Sequence, residues 1–110
     1  MAIHHASSGE LIDIRPLEDK LKTTITKALF KSHRLEVSRM VLLAGRDVPE
    51  HQVAGETTVQ CLEGSVELVV AGIARPMRTG ELICVARGET RSLRAMEDSS
   101  ILITMLLHGA

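Results

Sequence analysis

Turn-forming residues interrupt this chain so often that only short extended segments fit between them. Gly45-Arg46-Asp47, Glu63-Gly64-Ser65, Ala71-Gly72, Arg87-Gly88-Glu89 and Glu97-Asp98-Ser99 each end an apolar run. Turn signals recurring about every eight to twelve residues are the mark of an all-β sandwich or barrel. The segments between them agree. Thr24 to Phe30 is rich in β-branched residues, and Leu35, Val37, Val41 and Leu43 alternate with a period near two, interrupted by Arg39. Val59, Cys61 and Leu62 run into the turn at Gly64, and Val66, Leu68 and Val70 leave it, which predicts a hairpin. Pro49 is expected to keep its stretch irregular, and Arg75 to Gly80 to serve as a connection into the strand at 81–85. Ser92 to Met96 and Ile101 to Leu107 complete the set. No helical periodicity appears after residue 23, which excludes βαβ folds and helical bundles.

The amino-terminal part reads differently. Residues 1–10 are polar and small, Leu11 to Arg15 is a short extended piece stopped by Pro16, and Leu17 to Lys22 has room for one helical turn. Residues 1–22 are therefore expected to form a partly disordered arm, and residues 23–110 a single domain. The last strand is apolar on both faces, so it must be covered twice, inside the sandwich or by a second subunit. A homodimer burying one sheet face is the expectation.

Charge and aromatic content narrow the function. Thirteen Lys and Arg against 14 Asp and Glu give a net charge of −1, with a single aromatic residue of the Phe, Trp and Tyr group, Phe30. A phosphate-binding surface needs a basic excess, and base stacking needs aromatic platforms. No nucleic-acid partner is expected; the lysines and arginines between Lys20 and Arg39 read as a solvated face. The start of the chain lacks a basic region followed by an apolar core, and no apolar run approaches the ~20 residues of a membrane span. No membrane partner and a cytoplasmic location follow as expectations. Cys61 and Cys84 lie in apolar runs and read as small buried hydrophobes rather than a disulfide. His4 and His5, adjacent in the arm, and His108, far from the other histidines, carry no metal-site spacing. No serine has a nucleophile-elbow context, and no glycine-rich phosphate loop precedes a helix.

The informative stretch is GRDVPEHQVAGETTVQCLEG, residues 45–64, followed by GELICVARGETR, residues 80–91. Together they resemble the two motifs of the cupins. The first motif is Gly, five residues, His, one residue, His, three or four residues, Glu, six residues, Gly; Gly45, His51 and Gly64 fall in register. The second is Gly, five residues, Pro, one residue, Gly, two residues, His; Gly80 and Gly88 match, and Ala86 stands where Pro is usual. The resemblance spans about residues 36–107. It implies a small single-domain cupin of the conserved-barrel type, an all-β double-stranded β-helix or jelly-roll β-sandwich barrel that commonly dimerises.

The departures bear on chemistry. Metal-binding cupins hold their ion with two His and one Glu of the first motif and one His of the second. Those positions read His51, Val53, Thr57 and Arg91 here. Val has no lone pair, neutral Thr is a poor ligand for a transition metal, and Arg brings a positive charge. One imidazole cannot hold a divalent transition metal that needs three or four donors. Strand alternation sets Thr57, Val59 and Cys61 on one face and Gln60 on the other, unless a bulge at Gly55 reverses the register. Cys61 in the first register, or Gln60 in the second, would be a weak substitute ligand. Arg91 reads either as a cation for a carboxylate or phosphate, or as the partner of Glu56 or Glu89, or as a solvent-facing side chain. His51 reads as a site residue or as a loop histidine bonded to backbone. The leading expectation is a small-molecule-binding cupin without the usual metal, its anionic, partly apolar ligand held by His51, Val53, Thr57, Val59, Cys61, Arg91 and Leu93. Two alternatives stand beside it: a metal-dependent oxygenase or isomerase with a rearranged ligand set, and a filled barrel with a structural role.

Overall fold

A computed structural model describes residues 5–107, so His4 and His108 lie outside the described residues. A 3-10 helix, Glu18–Thr23, precedes nine strands: β1 (Lys27–Lys31), β2 (Leu35–Leu42), β3 (Asp47–Gln52), β4 (Thr57–Glu63), β5 (Ser65–Val70), β6 (Ile73–Arg78), β7 (Leu82–Val85), β8 (Thr90–Ala95) and β9 (Ser99–Leu106). They form two sheets, ordered β1-β2-β9-β4-β7 and β3-β8-β5-β6, with every pairing antiparallel. From β3 onward the chain steps repeatedly from one sheet to the other, which is the jelly-roll arrangement. The core lies between the sheets. Val59 and Cys61 of β4, Val66 and Leu68 of β5, Leu93 and Ala95 of β8 and Ile101 of β9 are all buried. Residues two apart share a face, so each strand contributes alternate side chains to that layer.

The turn at Gly64 does not join a hairpin. β4 pairs with β7 and β9, whereas β5 pairs with β6 and β8, so Gly64 is the corner at which the chain leaves one sheet for the other. Its φ is +85°, and a Cβ there would run into the Ser99 hydroxyl and the Asp98 carbonyl, so only glycine fits. The Ser65 amide donates to Ser99 Oγ at 3.1 Å, which pins the corner from the far side. The hairpin that does form is β5–β6. Its turn residues Ala71 and Gly72 both have positive φ, 49° and 81°, as a primed two-residue turn requires.

Two segments expected to be irregular are strands. Residues 75–78 belong to β6, whose side chains are exposed except for Met77, so the hydrophobic alternation that would have marked it is missing. Pro49 sits within β3, at the sheet edge, where the missing N–H costs no ladder bond. The extended piece at 11–15 forms no strand.

That piece instead lies along the outer face of the five-stranded sheet. Arg15 donates to Asp13 through Nε at 3.0 Å and Nη2 at 2.7 Å, shaping a turn whose carbonyls face Arg39 of β2. Arg39 Nη2 donates to the Arg15 carbonyl at 3.1 Å and the Asp13 carbonyl at 3.4 Å. Glu63, at the end of β4, accepts from the Leu17 amide at 2.6 Å, the Glu18 amide at 3.0 Å and the Ser100 hydroxyl at 2.7 Å. Leu21 of the 3-10 helix is buried. The strand β9 is covered on its inner face by the second sheet; on its outer face Leu102, Thr104 and Leu106 remain half-buried.

Candidate functional site

A cavity of about 150 Å³ opens between the sheets. Its walls come from the inner faces of both. Met40 of β2, Thr57 and Val59 of β4, and Ile103 and Met105 of β9 form one side. Val48 and His51 of β3, Leu68 of β5, and Arg91, Ser92 and Leu93 of β8 form the other, with Val53 from the loop after β3. The two motif segments meet at its rim, where the Gly88 amide donates to the Val53 carbonyl at 3.0 Å. Gly55 lets the adjoining loop approach β9 closely, since a Cβ there would collide with the Leu106 backbone.

A β-bulge assembles the polar part. Val48 and His51 are three residues apart, and a regular pleat would turn them to opposite faces. The β3–β8 register shifts between Val48 and His51, so both side chains line the cavity and His51 lies opposite Arg91. His51 is exposed at the mouth, with Nδ1 3.0 Å from the Pro49 carbonyl. A carbonyl oxygen only accepts, so in the neutral ring Nδ1 carries the proton and Nε2 presents a lone pair.

Arg91 is only 5% exposed. Its Nη2 donates to the Glu89 carbonyl at 3.3 Å, while Nε and Nη1 have no hydrogen-bond partner. Among the described residues no carboxylate forms a salt bridge with it. Burial pulls its pKa below the usual arginine value, partly opposed by the charge of Glu89. The remaining wall is apolar apart from Thr57 and Ser92; Thr57 turns its hydroxyl to the Gly55 carbonyl at 3.4 Å.

The structure thus brings together His51, Val53, Thr57, Val59, Arg91 and Leu93. Cys61, expected with them, lies one pleat further along β4 and is not among the lining residues. It is fully buried, with Sγ 3.5 Å from the Glu63 and Gly64 carbonyls, and burial pushes its thiol pKa up, reinforced by the charges of Glu81, Glu97 and Glu63. Gln60 is on the opposite face, between Leu82 and Leu102 in register. Cys84, read as buried, is exposed, because β7 is a sheet edge and Cys84 points outward. Met40, Val48, Leu68, Ser92, Ile103 and Met105 also line the cavity; the alternation of Leu35, Val37, Val41 and Leu43 pointed to the face of β2 opposite Met40, and nothing in the sequence told which strand positions border a void.

These residues do not fit a divalent transition metal. The four motif positions offer one imidazole, a hydrocarbon, a hydroxyl already turned to a carbonyl, and a guanidinium. Among the described residues no three His, Cys, Asp or Glu side chains gather to hold a cation. A buried positive charge in the ligand ring opposes a second one.

No family model matches the sequence, and no curated protein matches it. Solved structures do. A cupin superfamily protein from Desulfitobacterium hafniense aligns with a TM-score of 0.77 at 18% identity, covering 94% of this chain and 100% of its own. This is a cupin fold. A conserved protein of unknown function from Streptococcus pyogenes aligns at 0.76 with 19% identity, covering 100% of this chain and 98% of its own. The salicylate 1,2-dioxygenase from Pseudoaminobacter salicylatoxidans aligns at 0.67 with 18% identity over 73% of this chain and 25% of its own. At such identities the likeness carries the cupin fold alone, and cupin folds hold both enzymes and proteins of unknown function.

Proposed function

We propose that this cupin-fold protein binds a small, partly apolar anion in the cavity between its sheets, with Arg91 in place of a metal as the positive charge. The observation that carries the reading is the state of Arg91: buried, charged, lined on most sides by hydrocarbon, and with two of its three nitrogens unpartnered. Leaving a buried charge without a partner costs several kcal/mol (roughly 3–5), and an anion entering the cavity removes that cost. A guanidinium suits a carboxylate, which accepts its parallel N–H groups in one plane.

Thermal unfolding in the presence of short carboxylic acids tests this. The parent protein gains several degrees in Tm on addition of acids that fit, and Arg91→Met gains none. Equal gains in both proteins would overturn the role of Arg91; no gain from any acid would overturn the anion.

We also propose a homodimer through the outer face of the five-stranded sheet. Leu82, 58% exposed, stands in register with Gln60 and Leu102, and the exposed Cys84 with Thr58 and Thr104. Such a row favours burial against a like surface. Sedimentation should give a dimer for the parent and a monomer for Leu82→Glu; a monomeric parent ends the idea.

A further inference from the structure

We infer that the ligand class is a short 2-hydroxycarboxylic acid with a branched or cyclic apolar body, its hydroxyl donated to His51 Nε2 while Arg91 holds the carboxylate. The inference rests on the anion-binding reading of Arg91 and adds what the second polar group of the cavity selects.

Position comes first. His51 and Arg91 are directly opposed across the β3–β8 pair and both line the cavity. Opposed positions hold their Cβ atoms about 4.5–5.5 Å apart, so the two groups engage neighbouring atoms of one small molecule. A hydroxyl on the carbon next to the carboxylate is such a neighbour.

The polarity of His51 comes second. Its Nδ1 is committed to the Pro49 carbonyl, which leaves Nε2 as an acceptor in the neutral ring. An acceptor beside a guanidinium calls for a ligand that is both anion and donor. An amino acid would also supply a donor, but its ammonium would lie beside Arg91 and no carboxylate lines the cavity to offset it. A second carboxylate would meet the Nε2 lone pair. A neutral hydroxyl meets neither objection.

Size comes third. A cavity of about 150 Å³ walled by Val59, Leu68 and Ile103, and by His51 and Arg91 at its polar end, suits a molecule of roughly six carbons in all, the size of benzene. Sugar acids, with hydroxyls all round, would leave most of them unpaired against that wall.

Calorimetric titration of the full chain with 2-hydroxy-4-methylpentanoate, 4-methylpentanoate, 2-amino-4-methylpentanoate and methylbutanedioate tests the inference. In the parent the hydroxy acid binds about three- to tenfold more tightly than its deoxy analogue, the span expected for one hydrogen bond. The amino acid and the diacid bind more weakly than either. His51→Ala brings the hydroxy-to-deoxy ratio to about one, and His51→Gln, which keeps an acceptor, restores most of it. Equal affinities in the parent, a ratio that survives His51→Ala, or tighter binding of the amino acid or diacid would overturn the inference while leaving Arg91 as the anion anchor. If no acid binds, or if Arg91→Met binds all of them as well as the parent does, the anion reading falls and this one with it.

Discussion

Two arginines are buried in this domain to nearly the same depth, Arg39 at 7% exposure and Arg91 at 5%, and their surroundings differ in kind. Arg39, on the outer face of β2, lies under the amino-terminal segment. That segment bends at Asp13–Arg15 to deliver two carbonyls to it, and the carboxylate of Glu63 lies within its field. Arg91, on the inner face of β8, meets a single carbonyl at 3.3 Å and otherwise hydrocarbon. Each leaves its Nε buried without a partner, and Arg91 leaves a buried Nη1 so as well. The chain has built acceptors around one guanidinium and none beyond Glu89 around the other. A charge the protein satisfies itself belongs to the fold; one left unsatisfied in a cavity is the ground of the proposed anion site.

Replacing each arginine by methionine should therefore have opposite consequences. Arg39→Met removes charge-assisted hydrogen bonds and strands the Asp13 and Arg15 carbonyls, a loss of about 2–3 kcal/mol in urea unfolding. Arg91→Met exchanges an unsatisfied charge for a hydrophobe of similar length. The ligand-free protein should be about 1–4 kcal/mol more stable. Similar losses from both substitutions would erase the distinction. A bound acid sharpens it: at a hundred times its Kd it adds about 2.7 kcal/mol to the parent and nothing to Arg91→Met.

The same contrast explains what the sequence disclosed. The all-β class was legible from the spacing of the turns, β9 from its unbroken apolar run, and the inward face of Thr57 and Val59 from period-two alternation laid on the motif. Gly64 was legible as a turn but not as a corner, because the sheet each flanking strand joins is decided by partners distant in the chain. β6 was lost because an edge strand that buries only Met77 has no row of buried side chains to impose a pattern. In the site, His51 and Arg91 came from motif positions, yet their opposition across β3–β8 depends on a bulge that Pro49 only hints at. The clasp around Arg39 was invisible, because Arg39 read as part of a solvated basic face and Glu63 as a turn residue; Arg39 is buried only once the amino-terminal segment is laid across the sheet.

That clasp carries the smallest expected effect, and it separates the two regions by pH. Burial alone would raise the Glu63 pKa; the donors Leu17 N, Ser100 Oγ and Glu18 N, with the charge of Arg39, outweigh it and bring the pKa below its ordinary 4.5. A carboxyl with a depressed folded-state pKa stabilises the fold above its unfolded value, and that contribution fades as pH falls through the folded one. Glu63→Gln keeps the shape but not the charge, and should cost about 1 kcal/mol at neutral pH. The gap from the parent should close progressively below pH 4.5, where the parent protonates as well. The Asp13 carboxyl, held low by its hydrogen bonds to Arg15, leaves a residual acid dependence in both proteins below its ordinary 3.8. Urea unfolding of the two proteins from pH 7 to pH 3 measures the gap directly. Arg91→Met, in a cavity without a carboxylate, should run parallel to the parent across that range. A gap for Glu63→Gln that stays constant with pH would mean that the carboxylate charge contributes nothing to the clasp, and that the carbonyls of Asp13 and Arg15 alone account for the burial of Arg39.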